Sequence, residues 1–390
     1  MTMTDPDVLD EGDDDFRKAF GADLASLLDL ESWSQDMDLG PVIQSFRKEV
    51  TQAVNKEDYL RELVRRELLP RMQGRPGGPP EAGLYQCTEE ELTDIQQGLL
   101  FRGNVDAVCG SAVSHDNLSL GITQLGLVIA NYGGTSGSLS QRLFRREVAD
   151  THANAFQEAC DFIERRQNSP YGERDSLSKL ARRCIRPYAE RALLVHRAEA
   201  EWRMGVGNPC TRELVTGAGY HSLLHASLDV LRRLVTEHPK FVFISDDLEE
   251  RGLLTLGHAL DSREYLVLET LERECHQYVD EWEFRNQNSP RARRFVQDCC
   301  PLILRGVYRV STRAAPRLFY AHRDHVHLAV RVAMADSHLY PERGLPMLLG
   351  VAAATCRSVF GEDGFLGLVQ DAYAQAGASL RYLHAPSRRR

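Results

Sequence analysis

No stretch of this 390-residue chain approaches the ~18 consecutive apolar residues of a membrane-spanning helix, and its first fifteen residues are acidic. Neither a transmembrane helix nor a secretory signal is therefore expected, and the sequence reads as a cytoplasmic protein with no membrane partner. Its nine cysteines are odd in number, lack a CxxC pair and include the adjacent Cys299 and Cys300. That pattern argues against both a disulfide framework and a structural zinc site. Catalytic signatures are missing too: there is no GxSxG elbow, no GxxxxGKS or GxxxxGKT phosphate loop, and no GxGxxG behind a strand. The hydrolase, ATPase and dinucleotide-binding readings each lose their mechanical part. Gly133 to Gly137 has no following Lys and reads as a flexible connection. No repeat of 20–50 residues is visible, so a solenoid is excluded.

What is present is ordinary globular composition, with 43% apolar and 26% charged residues, and a polarised charge. Residues 1–100 hold 22 acids against 10 bases, a balance of -12, so a net charge of -9 leaves +3 for the remainder. Bases cluster there: Arg142, Arg145 and Arg146; Arg165 and Arg166; Lys179, Arg182, Arg183 and Arg186; Arg291, Arg293 and Arg294; Arg388 to Arg390. Each cluster alone reads as a solvated face. Together, on one face, they would suit a phosphate backbone.

Residues 1–15 carry seven acids and almost nothing to bury, which predicts a disordered tail. Residues 16–72 follow as a helical appendage, with Val42, Ile43, Phe46, Val50, Val54, Leu60, Leu63, Val64 and Leu68 at helical spacing. Four Gly and three Pro between Gln73 and Gly83 break the pattern, and 73–98 reads as a linker. An α/β domain is expected over 99–380, and a basic tail over 381–390. It opens with an antiparallel strand pair, Gly103–Cys109 and Leu118–Tyr132, followed by helices over Arg142–Arg166 and Leu177–Met204. Strand and helix then alternate: Glu213–Thr216, His221–Glu237, Lys240–Ser245, Asp247–Leu260 and Glu264–Thr270. An Arg-rich interval leads to strands Leu302–Ser311 and Arg317–Ala321, and three helices over 324–338, 344–359 and 365–376 finish the chain. A meander followed by alternation implies an α/β fold with a mixed sheet flanked by helices.

Metal-dependent phosphodiester hydrolysis needs carboxylates converging at strand ends. The candidates are Asp106 on the first strand, Glu199 and Glu201 on a helix, Glu213 opening a strand, Asp246 and Asp247 after a strand, and Asp336. Structural alternatives exist for most: Ser245 with the two aspartates is also a helix N-terminus, and Glu199 and Glu201 are also exposed helix residues. His322, Asp324, His325 and His327 crowd a strand-to-helix junction where no HExxH base accompanies them. With Tyr308, Arg309 and Arg323 nearby, this junction would serve a phosphate.

The order of segments resembles the NurA family of DNA-end-processing nucleases. The resemblance lies in an early strand ending in an Asp-Gly-Ser/Thr turn, a long second strand, an acidic helix, a strand ending in Asp-Gly, a further helix and strand, and a late helix often bearing a catalytic His. Its counterparts here are Val105–Ser111 with Leu118–Tyr132, Glu199 on its helix, Leu214–Gly217, Phe241–Ser245 and Leu345–Cys356. The resemblance implies an RNase H-like core, DNA as substrate, a HerA-type hexameric ATPase as partner, a homodimer, and Mn²⁺ or Mg²⁺ as cofactor if the site is active. Asp106, Glu199 and Glu213 would then hold the metal, with Glu201 as a further catalytic candidate. Arg142, Arg145, Arg146, Arg291, Arg293, Arg294, His322 and Arg323 would seat the nucleic acid. The departures fall at the chemistry. Cys109 precedes Gly110–Ser111 where the family has Asp, Thr216 precedes Gly217, and the late helix carries neither His nor acid. Either the site has moved to Asp106, Glu213 and the Glu199/Glu201 helix, or the fold persists without the nuclease. A non-enzymatic adaptor that docks a partner through its acidic helical N-terminus is the alternative function.

Overall fold

The computed structural model describes residues 7–33, 40–117, 120–134, 138–147, 180–245, 250–281 and 289–381, with isolated positions between them. It divides into two units, residues 1–60 and 61–390. In the first, helix α1 (Asp7–Phe20) corrects the expected disorder of the acidic run from residue 7 onward. Acids concentrated toward its N-terminal half suit the positive end of the helix dipole, and Arg17 and Lys18 occupy its last turn. Arg17 lies 4.0 Å from Asp14 and Lys18 3.7 Å from Asp15. Helices α2 (Leu24–Leu28) and α3 (Gly40–Leu63) follow, so the helical appendage is present.

The second unit is built on a nine-stranded sheet, in the order β1-β7-β8-β9-β6-β5-β2-β3-β4. Strand β1 (Gly83–Gln86) and helix α4 (Glu89–Ile95) fall where a linker was expected. Thr88 and Glu91 close a reciprocal capping box, which turns the polar run of glutamates into a helix start that buries Leu92. Strands β2 (Val105–Asp116) and β3 (Leu120–Ala130) form the expected antiparallel pair, although β2 continues through the segment read as a turn. Strand β4 (Ser138–Glu147) pairs with β3 along its length, correcting the helix expected from Arg142.

Helix α5 (Arg186–His196) is shorter than expected, and its sequel is strand β5 (Trp202–Val206) rather than more helix. Helix α6 (Arg212–Thr216) replaces the expected strand; Gly217, in the left-handed region at φ +64, ends it. Helix α7 (His221–Thr236), strand β6 (Phe241–Ser245), helix α8 (Arg251–Ala259) and strand β7 (Glu264–Thr270) follow the predicted alternation. The Arg-rich interval contains two helices not foreseen, α9 (Glu272–Asp280) and α10 (Ser289–Cys299). Strands β8 (Ile303–Arg309) and β9 (Arg317–His322) precede helices α11 (Val326–Ser337), α12 (Met347–Phe360) and α13 (Glu362–Gln375), all close to expectation.

Both faces of the central sheet are covered, which is why its strands read as continuous apolar runs. Along β6, Phe241 and Phe243 join one core layer with Leu194, Leu231 and Phe295, while Val242 and Ile244 join the other with Val330, Met334 and Leu348. Helix α12 approaches β3 so closely that a Cβ on Gly126 would lie 2.2 Å from the Phe360 ring. The nine cysteines are free thiols, and no described helix is long and apolar enough to cross a membrane.

Candidate functional site

Strand β2 pairs in parallel with β5 only from Val105–Trp202 to Ala107–Met204, then continues with β3 alone. Cys109, Gly110 and Ser111 therefore lie just beyond the shared register, at the place where an RNase H-like arrangement would gather metal ligands. Helix α5 covers this turn on one face, and α12 lies on the other.

From α5, Glu190 faces Gly110: a Cβ at residue 110 would lie 2.7 Å from Glu190 Oε1. Glycine is needed here because the carboxylate comes so close to the strand. Glu190 is 8% exposed and already neutralised, with Arg191 at 2.8 Å and Arg186 at 3.8 Å. The Arg191 guanidinium is itself buried, which pulls its pKa below the ordinary value, against the opposing pull of Glu190. It donates to the carbonyls of Val206 (3.2 Å), Asn208 (2.7 Å), Pro209 (3.4 Å) and Pro187 (3.3 Å), and lies 5.1 Å above the Phe243 ring. A guanidinium presents five N–H donors in a fixed fork, so one side chain organises the whole end of β5.

From the α12 side, Cys356 Sγ donates to Gly126 O at 3.4 Å and Ser111 Oγ to Phe360 O at 3.2 Å. Burial, then the Glu190 charge, pushes the Cys109 thiol up to about 12. It is a neutral thiol at physiological pH. The strand that follows the acid-bearing helix is β5, so the position before its closing glycine is Val206. The Thr216–Gly217 assignment made from sequence is corrected, because those residues end helix α6.

Hard divalent cations take several oxygen ligands, usually including more than one carboxylate. Cys109, Val206 and an arginine-paired Glu190 do not meet that need, and among the described residues no group of three or more His, Cys, Asp or Glu is placed to hold a metal ion. The site does not fit Mn²⁺ or Mg²⁺.

The carboxylates singled out from sequence are not brought together. Asp106 is fully buried, and its oxygens accept from Asn131 Nδ2 (3.0 Å), Glu199 N (2.8 Å) and Ala200 N (2.9 Å). It pins the loop entering β5. Glu199 and Glu201 lie in that loop, beyond the end of α5, with exposed side chains, and Glu201 pairs with Lys240. Glu213 stands on α6. Asp336 is buried and raised to about 6 by desolvation; it accepts from Tyr132 Oη at 2.6 Å and from Leu348 N at 2.8 Å. Asp246 and Asp247 lie outside the described residues.

The basic candidates fall on separate elements. Arg142, Arg145 and Arg146 are on β4, the end strand of the sheet, and Arg142 is exposed. Arg291, Arg293 and Arg294 are exposed on α10, with Arg291 against His225 at 2.5 Å and Arg293 3.4 Å from Asp280. His322 is 4% exposed, accepts from Asp324 N at 3.3 Å, and has its pKa lowered by burial; Arg323 pairs with Glu81 at 3.3 Å. Burial makes His322 a poor contact for nucleic acid. Lys179, Arg165, Arg166 and Arg388 to Arg390 lie outside the described residues.

Glu190 and Arg191 were not singled out from sequence, although a signal exists: an acid and a base stand side by side where Leu193, Leu194 and Val195 continue a buried helix.

No known family's sequence profile matches the chain, and no curated protein matches it. Among solved structures it is similar to the NurA nuclease from Sulfolobus solfataricus, at 9% identity over 86% of this chain and 98% of that one, with a TM-score of 0.45. A second NurA crystal structure matches at 9% identity over 85% and 97%, with a TM-score of 0.46. A third, of NurA bound to dAMP and manganese, matches at 10% identity over 87% and 97%, with a TM-score of 0.43.

Proposed function

We propose that this chain is a catalytically silent relative of the NurA-type nucleases, one that holds DNA without cutting it. The observation that carries the reading is the state of Glu190: the acid facing the Cys109–Gly110 turn is occupied by two arginines. Removing a carboxylate from a two-metal site removes its affinity for a hard cation, and an internal guanidinium supplies the compensating charge. DNA as ligand rests on the basic residues of β4 and α10, and on the resemblance in segment order. A HerA-type ring ATPase as partner rests on that resemblance alone.

The test is electrophoretic retardation of labelled single- and double-stranded DNA in the presence of Mn²⁺. The proposal expects retarded, intact DNA, weakened by Arg142→Glu with Arg145→Glu and falling steeply with salt. The adaptor alternative draws on the exposed apolar residues of the N-terminal helices, among them Leu28, Leu30, Trp33 and Phe46. Absence of retardation, with a stable protein complex in its place, would favour it.

A further inference from the structure

Helix α3 leaves Ile43, Phe46, Val50, Val54 and Leu60 between 43% and 64% exposed. At 3.6 residues per turn these side chains share one face with Ala53, over a length of about 26 Å. An apolar stripe of that length is a seam without its partner. Charge is arranged around it: Glu57 sits in the middle of the stripe, Glu49 and Lys56 line one edge, and Arg47 lines the other. Glu49 is oriented by Ser45, whose Oγ donates to Oε1 at 3.0 Å.

We propose that this face pairs with the same face of a second copy of the chain, with the two helices antiparallel. The reading is independent of whether the chain binds DNA. The charges select the direction. With the two-fold axis between Thr51 and Gln52, Ile43 stacks on Leu60 of the second copy and Val50 on its Ala53. Glu57 then falls beside Phe46 and Arg47 of the second copy, and Glu49 faces its Lys56. Symmetry makes each contact twice, so Glu49 with Lys56 and Glu57 with Arg47 give four opposite-charge pairs along one seam. A parallel pairing would set Glu57 against Glu57 inside the apolar stripe and Lys56 beside Arg61, both repulsive.

The full chain would be examined by light scattering behind size exclusion at micromolar concentration, with circular dichroism confirming that each variant folds. The expected mass is twice that of the chain. Phe46→Glu is expected to give a monomer. Glu49→Lys and Lys56→Glu should each weaken the dimer by at least about tenfold, since each turns two attractive pairs into repulsive ones, and the double exchange should restore it. For direction, the Ile43→Cys and Leu60→Cys chains should form a disulfide when mixed under oxidising conditions, and neither should do so alone. A monomeric native chain, a dimer indifferent to Phe46→Glu, failure of the double exchange to rescue, or a disulfide formed by the Ile43→Cys chain alone would each overturn the proposal. A monomer that binds only a different protein would overturn it as well.

Discussion

The carboxylate of Glu190 accepts from the guanidinium of its neighbour in sequence, Arg191, at 2.8 Å, and the same guanidinium reaches the carbonyls that close strand β5. This ion pair lies between the turn at Cys109–Gly110 and the end of β5, where a nuclease of this architecture would place its cation. Arg191→Met should therefore destabilise the fold by about 3–5 kcal/mol, because it strands a buried carboxylate and leaves carbonyls without donors. Glu190→Gln on that background should recover part of the loss. Urea denaturation of the two variants checks this; equal stability of Arg191→Met and the native chain would show that the guanidinium is dispensable.

Asp106 is a structural anchor on this account. Asp106→Ala removes the acceptor from one side-chain and two backbone donors in a fully buried setting. The expected cost is about 3 kcal/mol, read as a lower melting temperature. Millimolar Mn²⁺ should leave the melting temperatures of both the variant and the native chain unchanged, whereas a metal ligand would reveal itself by a Mn²⁺ shift that the substitution abolishes.

Asp336 gives the fold a pH dependence of defined sign. Its carboxyl is raised from 3.8 to about 6 by burial, so the folded chain binds the proton more tightly than the unfolded one. The group's stabilising contribution is complete below pH ~4 and lost as pH rises through about 6. Asp336→Asn removes the titration, so its stability relative to the native chain should increase between pH 4.5 and 7.5, by on the order of 2–3 kcal/mol. Denaturation at the two pH values measures the difference, and a constant offset would contradict the assignment.

Gly110 and Gly126 mark the two close approaches around the turn. Gly110→Ala drives a methyl against Glu190 and Leu127, and Gly126→Ala drives one into the Phe360 ring. Each should cost about 1–3 kcal/mol through displaced neighbours. Phe360→Ala should relieve part of the Gly126→Ala effect in a double-mutant cycle, and strict additivity would show that the ring does not set the contact.

Strands buried on both faces were legible because composition alone marks them: Phe241–Ser245 and Glu264–Thr270 are continuous apolar or β-branched runs, and the structure places β6 and β7 on them. Strand β4 was not, since it lies at the sheet end and alternates Ser, Gln and Arg with few apolar residues. The site failed on one boundary. Without a Pro or Gly to stop it, helix α5 reads on through Glu199, whereas the chain leaves the helix at Arg197 and Asp106 holds the following loop by its backbone. The acid facing the turn is thus Glu190, one register earlier than the eye expects. In the same way Thr216–Gly217 imitates a strand ending in a turn, although the glycine caps a helix. Missing metal ligands at Cys109 were visible from the sequence; the arginine that compensates for them required the fold.

The most direct measurement is incubation of the purified full chain with end-labelled single- and double-stranded DNA in millimolar Mn²⁺, followed by denaturing electrophoresis. With Cys109 neutral, Asp106 saturated by donors and Glu190 bound by Arg191 and Arg186, the account predicts that every strand stays full length. Strand shortening that requires Mn²⁺ and disappears in Glu190→Gln would contradict it, because it would show that this carboxylate is free to hold a metal.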